Sequence, residues 1–335
     1  MIAWSSSTPS MNTTPSSPGG SQPVRVGISS CLLGNEVRYD GGHKRDRYLT
    51  DTLGQFFQWV PVCPEVEMGL GTPRETLRLV GEPTAPRLVF GKTGGDQTAG
   101  MRVWSKGRLE QLARMDLSGY VLKSDSPSCG MERVRVYGGS GMPSKTGVGI
   151  FARALLDRLP LLPVEEEGRL HDLPLRENFI ERVFCYRRWR DVTAGGLTRG
   201  KLVAFHASQK LLLMAHSPKH YTDLGRVVAN AKTLAPRALE ARYGELFMAA
   251  LKVHATAKKH VNVMQHILGY LKRDLDARDK NELLALIGDY YKNLVPLVVP
   301  LTLLKHHLVR FPVPYIEGQV YLNPHPKELM LRNHV

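Results

Sequence analysis

Three of the four cysteines lie beyond short apolar runs, and this repeated placement limits the folds that the chain can adopt. The runs are typical of β-strands, and a loop follows each one, with Cys31 after residues 24–28, Cys63 after residues 59–62 and Cys129 after residues 120–122. In a parallel α/β sheet, ligands bind in the crevice beyond the carboxyl ends of the strands. We therefore expect the three thiols, although distant in sequence, to converge on one point.

The order of the predicted elements favours an α/β domain followed by an all-α domain. Strands are expected at residues 24–29, 59–62, 77–81, 87–90, 120–122 and 134–137, the third and fourth as a hairpin, with helices at residues 48–58, 98–116 and 148–159. Such alternation indicates a parallel sheet of the Rossmann or flavodoxin type. Helical spacing dominates from residue 177, with helices expected at residues 199–214, 218–231, 236 to about 275 with a candidate break at Gly244, and 279–303.

The length of 335 residues favours two domains. Residues 1–23 are rich in Ser, Thr, Pro and Gly and carry no charge, so we predict a disordered tail there. The first domain is expected at residues 24–165, a polar linker at residues 166–180, and the helical domain at residues 181–335.

The chain contains no run near the ~18–20 apolar residues that cross a membrane. The apolar patch near Met1 is too short for a signal peptide and lacks a preceding basic region. We therefore expect a cytoplasmic protein without a membrane partner. In a reducing compartment, cysteines more often bind metals or act in catalysis than form disulfides.

The net charge of +14 is concentrated in the helical half. Residues 181–335 contain 24 Lys and Arg against 12 Asp and Glu, whereas residues 1–180 contain 21 against 19. Solvated helix faces would explain a positive charge that is spread evenly along the chain. The asymmetry between the halves favours a polyanion, and specifically a nucleic acid, as the partner of the second half.

The cysteine spacing alone leaves three interpretations open. Three thiolates can hold three irons of a [4Fe–4S] cluster and leave the fourth iron open as a Lewis acid. Three thiolates with His43 would instead form a closed, structural zinc site. The cysteines can also be unrelated buried residues, and this is the interpretation that we give to Cys185, in a helical stretch beside Phe184.

Several polar side chains near the cysteines are candidates for chemistry. A carboxylate beside a metal site can act as a general base, and serines of a turn can donate hydrogen bonds to a substrate. Each also has a plainer interpretation as a loop or turn residue. The candidates are Glu65, Glu67, Ser126 and Ser128, with Lys123 and Arg74 as cations that could bind phosphate or be solvated.

Residues 138–146, GGSGMPSKT, follow a predicted strand and precede a predicted helix, as a phosphate-binding loop does. However, Ser144 stands where the pattern requires glycine, and Pro143 lacks the N–H group that such a loop donates. A P-loop nucleotidase is therefore a weak alternative.

Three blocks together resemble the thiouracil desulfidase (TudS) family, namely SSCLLG with RYDG, VCPE with GLGTPR, and KSDSPSCG. The match covers about residues 24–165, and the blocks occur in the family's order. The later segment FHASQKLLLMAHSPKHYTDLGRVVA resembles a helical domain of formerly unknown function that is often fused behind it. The whole arrangement is similar to the longer RudS-type desulfidases, which remove sulfur from 4-thiouridine in transfer RNA.

The resemblance implies an oxygen-sensitive [4Fe–4S] cluster held by Cys31, Cys63 and Cys129. The open iron would bind the thiocarbonyl sulfur, water would attack the ring carbon, and sulfur would leave as hydrosulfide to give uridine without net electron transfer. The family usually has a cysteine where Val37 stands here, and its absence favours an open iron.

The resemblance also implies catalytic roles for side chains beside the cysteines. Glu65 would be the acid/base that handles the attacking water. Ser126 would hydrogen-bond the base, although Ser128 is an equal candidate on physical grounds.

The basic half would then bind the transfer RNA. His254, Lys258 and Asn262 have a spacing of four residues, which places them on one face of a helix. The predicted RNA-binding residues are Lys258, Lys259, Arg226 and His254. Two alternatives stay open, a desulfidase of free thiouracil or thionucleosides, and a zinc-stabilised nucleic-acid-binding protein without catalysis.

Overall fold

A computed structural model describes residues 23–138 and 142–334 of the chain. The predicted tail therefore lies outside the described residues except for Pro23, as do three residues of the predicted phosphate loop. Among the described helices, none is long and apolar enough to span a membrane.

The first sheet is parallel and holds four strands in the order β2-β1-β5-β8. Its strands are β1 (Val24–Ser29), β2 (Phe57–Val62), β5 (Leu117–Leu122) and β8 (Val164–Glu166). Ser29 pairs with Val62, and Ile28 pairs with Val121, so the carboxyl ends of the three strands β2, β1 and β5 lie side by side. The predicted α/β class is confirmed, and the strands that precede the three cysteines are direct neighbours.

A second, mixed sheet was not expected. It has the order β4-β3-β6-β7, with strands β3 (Leu77–Val80), β4 (Arg87–Phe90), β6 (Val134–Tyr137) and β7 (Pro143–Gly147). The predicted hairpin of β3 and β4 is present. The phosphate-loop interpretation is wrong, because Lys145 pairs with Arg135 in an antiparallel ladder, and this pairing commits the backbone of the segment to the sheet.

Three helices belong to the α/β region, and they are α1 (Pro64–Glu67), α2 (Thr98–Arg114) and α3 (Ile150–Arg158). The helix predicted at residues 48–58 is wrong in its second half. Only short helical turns occupy residues 48–55, and β2 begins at Phe57. The ring of Phe57 packs against Trp59 and Phe184, and this tertiary packing favours the strand over the local helical pattern.

The rest of the chain is helical, as predicted. Its helices are α4 (Leu173–Thr193), α5 (Arg199–His216), α6 (Pro218–Ala229), α7 (Pro236–Lys252), α8 (Ala257–Leu271), α9 (Ala277–Tyr291), α10 (Val298–Arg310) and α11 (Pro314–Glu317). The Ser217 side chain caps α6, as its place before Pro218 predicts. The break suggested at Gly244 is wrong, since Gly244 lies inside α7. A Cβ atom there would lie 2.9 Å from Nε1 of Trp189, so the glycine permits close packing.

Helix α4 contributes to two hydrophobic cores. Phe179, Ile180 and Val183 pack with the β1 and β5 residues of the parallel sheet. Further along the same helix, Cys185 and Trp189 belong to the core of the helical region. The burial of Cys185 agrees with its interpretation as a core residue.

The predicted linker, residues 166–180, is structured along most of its length, because Glu166 ends β8 and α4 begins at Leu173. Glu165 and Glu166 lie in β8 and are both buried. Glu165 accepts a hydrogen bond from Arg169, and Glu166 accepts one from the Met131 N–H, so these acidic residues have partners inside the fold. Residues near the end of the chain also return to the sheet, where Leu329 and Leu331 are buried in the core that contains β1.

Candidate active site

A cavity of about 380 Å³ opens at the carboxyl ends of β1, β2 and β5. Seven of the candidate residues named from the sequence line it, namely Cys31, Cys63, Cys129, Glu65, Ser126, Arg74 and Lys123. The parallel register of the three strands brings these loops together. The structure thus places the thiols around one cavity, as the strand-end pattern predicts.

Local structure fixes each cysteine differently. Cys31 lies in a helical turn directly after β1, and Cys63 is the residue before α1, whose first position is Pro64. Cys129 lies in the loop after β5, where its N–H donates a hydrogen bond of 3.0 Å to Ser126 Oγ. This loop packs tightly, because a Cβ atom on Gly149 would lie 2.5 Å from the Ser128 carbonyl.

The surroundings of all three thiols disfavour the charged thiolate form unless a cation lies nearby. Burial raises the pKa of Cys31 to about 11, and the nearby Cys63 adds to the effect. Burial likewise raises the pKa of Cys63, and raises that of Cys129 well above its usual range. Cys129 is also affected by both other thiols. A cationic iron–sulfur group would relieve both the desolvation and the mutual repulsion, so the donor set fits such a group.

The geometry does not favour the zinc alternative. Among the described residues, no three His, Cys, Asp or Glu side chains are arranged to hold a metal ion. His43, the predicted fourth zinc ligand, is exposed and accepts a hydrogen bond from the Arg45 N–H at Nδ1. The absence of such a group among the described residues applies equally to an iron–sulfur cluster, so the position of His43 is the observation that counts against zinc. Val37 lines the cavity.

Glu65 is held by two partners. Its Oε1 accepts a hydrogen bond of 2.8 Å from Ser128 Oγ. Its Oε2 accepts two from Arg74, from Nε at 2.9 Å and from Nη2 at 2.5 Å. Arg74 is itself fixed, because Nη1 donates to the Val37 and Gly71 carbonyls at 3.0 and 2.9 Å. An ionised carboxylate has about four acceptor sites, so Glu65 retains capacity for about one water molecule.

The two serine candidates occupy different environments. Ser126 lines the cavity, and its hydroxyl accepts hydrogen bonds from the N–H groups of Ser128 and Cys129. Ser128 is completely buried and reaches Glu65 instead of the cavity. The structure therefore separates a serine that can contact a ligand from one that orients the carboxylate.

The two cations that the sequence predicts near the cysteines are already paired. Arg74 is bound to Glu65, and Lys123 forms an ion pair with Glu167. Neither is free to bind a phosphate as the sequence allowed. Glu67 is also engaged, since it accepts from the Cys63 N–H at 2.9 Å and pairs with Arg108. Sequence reasoning missed the Arg74–Glu65 pair, although GLGTPR is one of the blocks that carried the family resemblance.

The predicted RNA-binding residues do not share one helical face. His254 precedes α8, so the expectation that it shares a helical face with Lys258 is wrong. Lys259 Nζ donates to the carbonyls of His216 and His254 at 2.6 and 3.1 Å. Arg226 forms an ion pair with Asp223 at 3.0 Å, and Lys258 is exposed.

Two family models match the chain. One, described as 2-thiouracil desulfurase, matches residues 26–167, and one, described as a protein of unknown function (DUF1722), matches residues 210–326. The uncharacterized protein YbgA of Escherichia coli (strain K12) is 31% identical over 155 residues, which are 45% of this chain and 90% of that protein. The uncharacterized protein YbbK of Bacillus subtilis (strain 168) is 31% identical over 137 residues, which are 38% of this chain and 87% of that protein.

A solved structure described as the [4Fe-4S]-dependent thiouracil desulfidase TudS is 33% identical, covering 47% of this chain and 99% of that chain with a TM-score of 0.38. The fold and the cavity define an α/β protein with a three-thiol site at the carboxyl edge of a parallel sheet. The chain belongs to the 2-thiouracil desulfurase family and carries a DUF1722 region behind the family's domain.

Proposed function

We propose that this protein is a [4Fe–4S]-dependent desulfidase that converts 4-thiouridine in transfer RNA to uridine by hydrolytic removal of sulfur. One observation carries the proposal, which is that Cys31, Cys63 and Cys129 line one cavity together with Glu65. Membership of a family named for thiouracil desulfuration supports the reaction class. The overall change exchanges a C=S bond for C=O, consumes one water molecule and releases hydrosulfide.

We propose Cys31, Cys63 and Cys129 as the cluster ligands. When bound, the cluster would supply an open iron that acts as a Lewis acid toward the thiocarbonyl sulfur. The other steps fall to the side chains of the chain. Glu65 takes a proton from the attacking water at a carboxylate oxygen that Arg74 and Ser128 hold in place. Ser126, which lines the cavity, hydrogen-bonds the base.

The charge distribution supports a polynucleotide substrate. The helical half carries nearly all of the excess positive charge, while the half that contains the cavity is almost neutral. A free base gains little from such a surface, whereas a transfer RNA is attracted by it through its phosphates. We propose residues 181–335 as the RNA-binding part and the cytoplasm, where transfer RNA is abundant, as the location.

Free thiouracil is a second candidate substrate with equal support from the family's description. A cavity of about 380 Å³ is also large enough for a single base. The two candidates share the reaction and the residues of the cavity. They differ in whether the helical half takes part in binding the substrate.

Anaerobic purification followed by iron and sulfide analysis tests the cofactor. The same preparation is then incubated with transfer RNA that contains 4-thiouridine and, separately, with free thiouracil, and hydrosulfide and the loss of thiocarbonyl absorbance are measured. We expect about four irons per chain and faster turnover of the RNA. An iron-free protein would refute the cofactor, and turnover of thiouracil alone would assign the free base as substrate.

A further inference from the structure

A cluster of aromatic rings surrounds the ammonium group of Lys210 on the helical half. Four elements supply it, with His206 and Lys210 from α5, Tyr221 from α6, His266 and Tyr270 from α8, and Tyr315 from α11. We call these six residues the aromatic surface. They lie in a different part of the chain from the desulfidase cavity, and the function proposed above assigns none of them a role.

The rings form two adjoining groups. Tyr270 and Tyr315 lie with their centroids 5.7 Å apart, and His266 lies edge-on to Tyr270 at 5.5 Å. His206 and Tyr221 stack almost parallel, at 5.7 Å with an angle of 4°. Lys210 Nζ lies 5.7 Å from the Tyr315 centroid. Tyr315 thus lies beside both another ring and a cation.

The surface is accessible at two of its three tyrosines. Tyr270 and Tyr315 are 40% and 37% exposed, whereas a tyrosine ring that only fills a core is buried. The surroundings of both histidines favour the neutral form of the imidazole ring. Burial and then Lys210 lower the pKa of His206, and the same two causes lower that of His266. Neutral imidazole rings stack as aromatic groups without repelling a neighbouring cation.

Lys210 is partly buried beside the Tyr315 ring. Within the part of the chain that the structure describes, Lys210 forms no ion pair with a carboxylate. Burial opposes its charge, but the phenol groups of Tyr221, Tyr315 and Tyr270 outweigh this effect and raise its pKa. A charged ammonium without a counter-ion, set among exposed rings, has the chemistry to attract a phosphate.

We propose that the aromatic surface binds single-stranded nucleotides of the RNA, with bases stacked on Tyr270 and Tyr315 and a phosphate at Lys210. Proteins bind unpaired strands by combining a cationic groove with aromatic rings, because every base offers a π-face. Arrangements of a cation over a ring add to this attraction. The inference rests on the proposed RNA substrate and adds that the protein contacts an unpaired segment, not only the phosphates of a duplex.

The test uses the full-length, cluster-loaded protein and a fluorescein-labelled single-stranded oligoribonucleotide of about twelve residues, with binding followed by anisotropy. Tyr270→Ala and Tyr315→Ala should each weaken binding by about 5- to 150-fold, the range for loss of one stacked base. Tyr270→Phe should bind like the wild type, because it keeps the ring. Tyr291→Ala is the matched control, as Tyr291 is 54% exposed on α9 and outside the aromatic surface.

Lys210→Gln tests the phosphate contact separately. It should flatten the dependence of log affinity on log salt by about 0.7, the value for one phosphate of a single strand. Binding of a duplex of equal length should change less than binding of the single strand in both Tyr270→Ala and Tyr315→Ala. Unchanged single-strand affinity in both alanine variants would overturn the proposal, as would equal losses for single strand and duplex.

Two further measurements keep the outcomes distinct. Melting temperatures show whether a variant is folded, and if an alanine variant is unstable, Tyr270→Leu and Tyr315→Leu replace it. Iron content and turnover of free thiouracil are measured in the same preparations. Loss of RNA binding with normal thiouracil turnover supports the role of the aromatic surface in RNA binding. Absence of desulfuration in the wild type refutes the proposed function and leaves the binding proposal intact. If the tyrosine variants keep RNA affinity, the surface is assigned to a protein partner and the RNA proposal fails.

Discussion

The Ser128 hydroxyl donates a hydrogen bond of 2.8 Å to Oε1 of Glu65, and thereby links the loop after β5 to the first turn of α1. On the opposite side of the carboxylate, Arg74 binds Oε2. The loops that carry Cys63 and Cys129 are thus connected through this carboxylate. The carboxylate is positioned before any substrate arrives, and this bears directly on its proposed role.

Glu65→Gln should retain the cluster and lose about 10²- to 10⁴-fold in turnover, the usual contribution of a general acid or base. The amide keeps the size of the side chain but cannot accept a proton from water. Ser128→Ala should keep Glu65 as the general base and lose less turnover, because it removes only one of the hydrogen bonds that orient the carboxylate. Iron content and turnover are measured for both. Near-normal turnover of cluster-loaded Glu65→Gln would remove Glu65 from the mechanism.

Cys31→Ala, Cys63→Ala and Cys129→Ala should each lose the cluster and the activity. Each removes one of three thiols that line the same cavity. Cys185→Ala is the control, since Cys185 is buried in the helical core, and it should keep its iron and cost roughly 1 kcal/mol of stability. Iron and sulfide analysis after anaerobic purification checks all four. A Cys185 variant without iron would contradict the ligand assignment.

Lys258→Ala and Lys259→Ala should affect the protein differently. Lys258 is exposed, so its loss should flatten the salt dependence of transfer RNA affinity by about 0.9, one phosphate contact. Lys259 holds the carbonyls of His216 and His254, so its loss should mainly lower the melting temperature. Affinities measured across salt concentrations, with melting curves, separate the two effects. Equal slopes for Lys258→Ala and wild type would show a merely solvated side chain.

The buried pair of Glu181 and His216 should make stability depend on pH. Burial opposes both charges, but their mutual attraction at 2.5 Å lowers the pKa of Glu181 below 4.5 and raises that of His216 above 6.5. The Glu181 contribution is complete above about pH 4.5 and is lost as the pH falls through its lowered pKa. The His216 contribution is complete below about pH 6.5 and is lost as the pH rises through its raised pKa.

Melting temperatures between about pH 3 and pH 9 test this expectation. The contribution of the pair should be greatest between about pH 4.5 and 6.5. His216→Gln is the comparison variant, and the difference in melting temperature between it and the wild type should be largest in that interval. A difference that stays constant across the whole range would show that neither group changes its proton affinity on folding.

Gly244→Ala should destabilise the protein by about 1–3 kcal/mol, the usual cost of overpacking. The added methyl group would lie 2.9 Å from Trp189 Nε1 and 3.3 Å from Leu161 Cδ1. Gly288→Ala in α9 is the matched control, because nothing lies within 4 Å of the place its methyl group would take, and alanine favours the helix there by about 0.4–1 kcal/mol. Denaturant unfolding measures both. Equal effects of the two substitutions would contradict the packing argument.

The convergence of the cysteines could be predicted because the pattern that indicates it lies within a few residues of each cysteine. An apolar run followed by Pro, Gly and Ser marks the end of a strand, and parallel strands end on one side of a sheet. The neighbour order of β2, β1 and β5 is not local, but any order within one sheet brings the loops to the same edge. This part of the site could therefore be inferred without knowing the register.

The remaining features depend on distant partners. Glu165 and Glu166 have the composition of a linker, yet they are buried because Arg169 and the Met131 N–H satisfy them. The second sheet requires β3 to pair with β6 across a long stretch of sequence. The Arg74–Glu65 pair likewise joins two loops whose approach only the folded chain establishes. Local patterns carry no information on these contacts.

Helix α4 also limits how this chain can be divided. A cut before Leu173 removes Phe179, Ile180 and Val183 from the sheet, whereas a cut after Thr193 removes Cys185 and Trp189 from the helical core. Neither position yields two intact fragments. Limited proteolysis should accordingly spare this helix, and calorimetry should record one heat-absorption peak instead of two. The half that contains the cavity and the basic half should then be degraded at the same rate in the cell, because a mutation that unfolds one half should also destabilise the other.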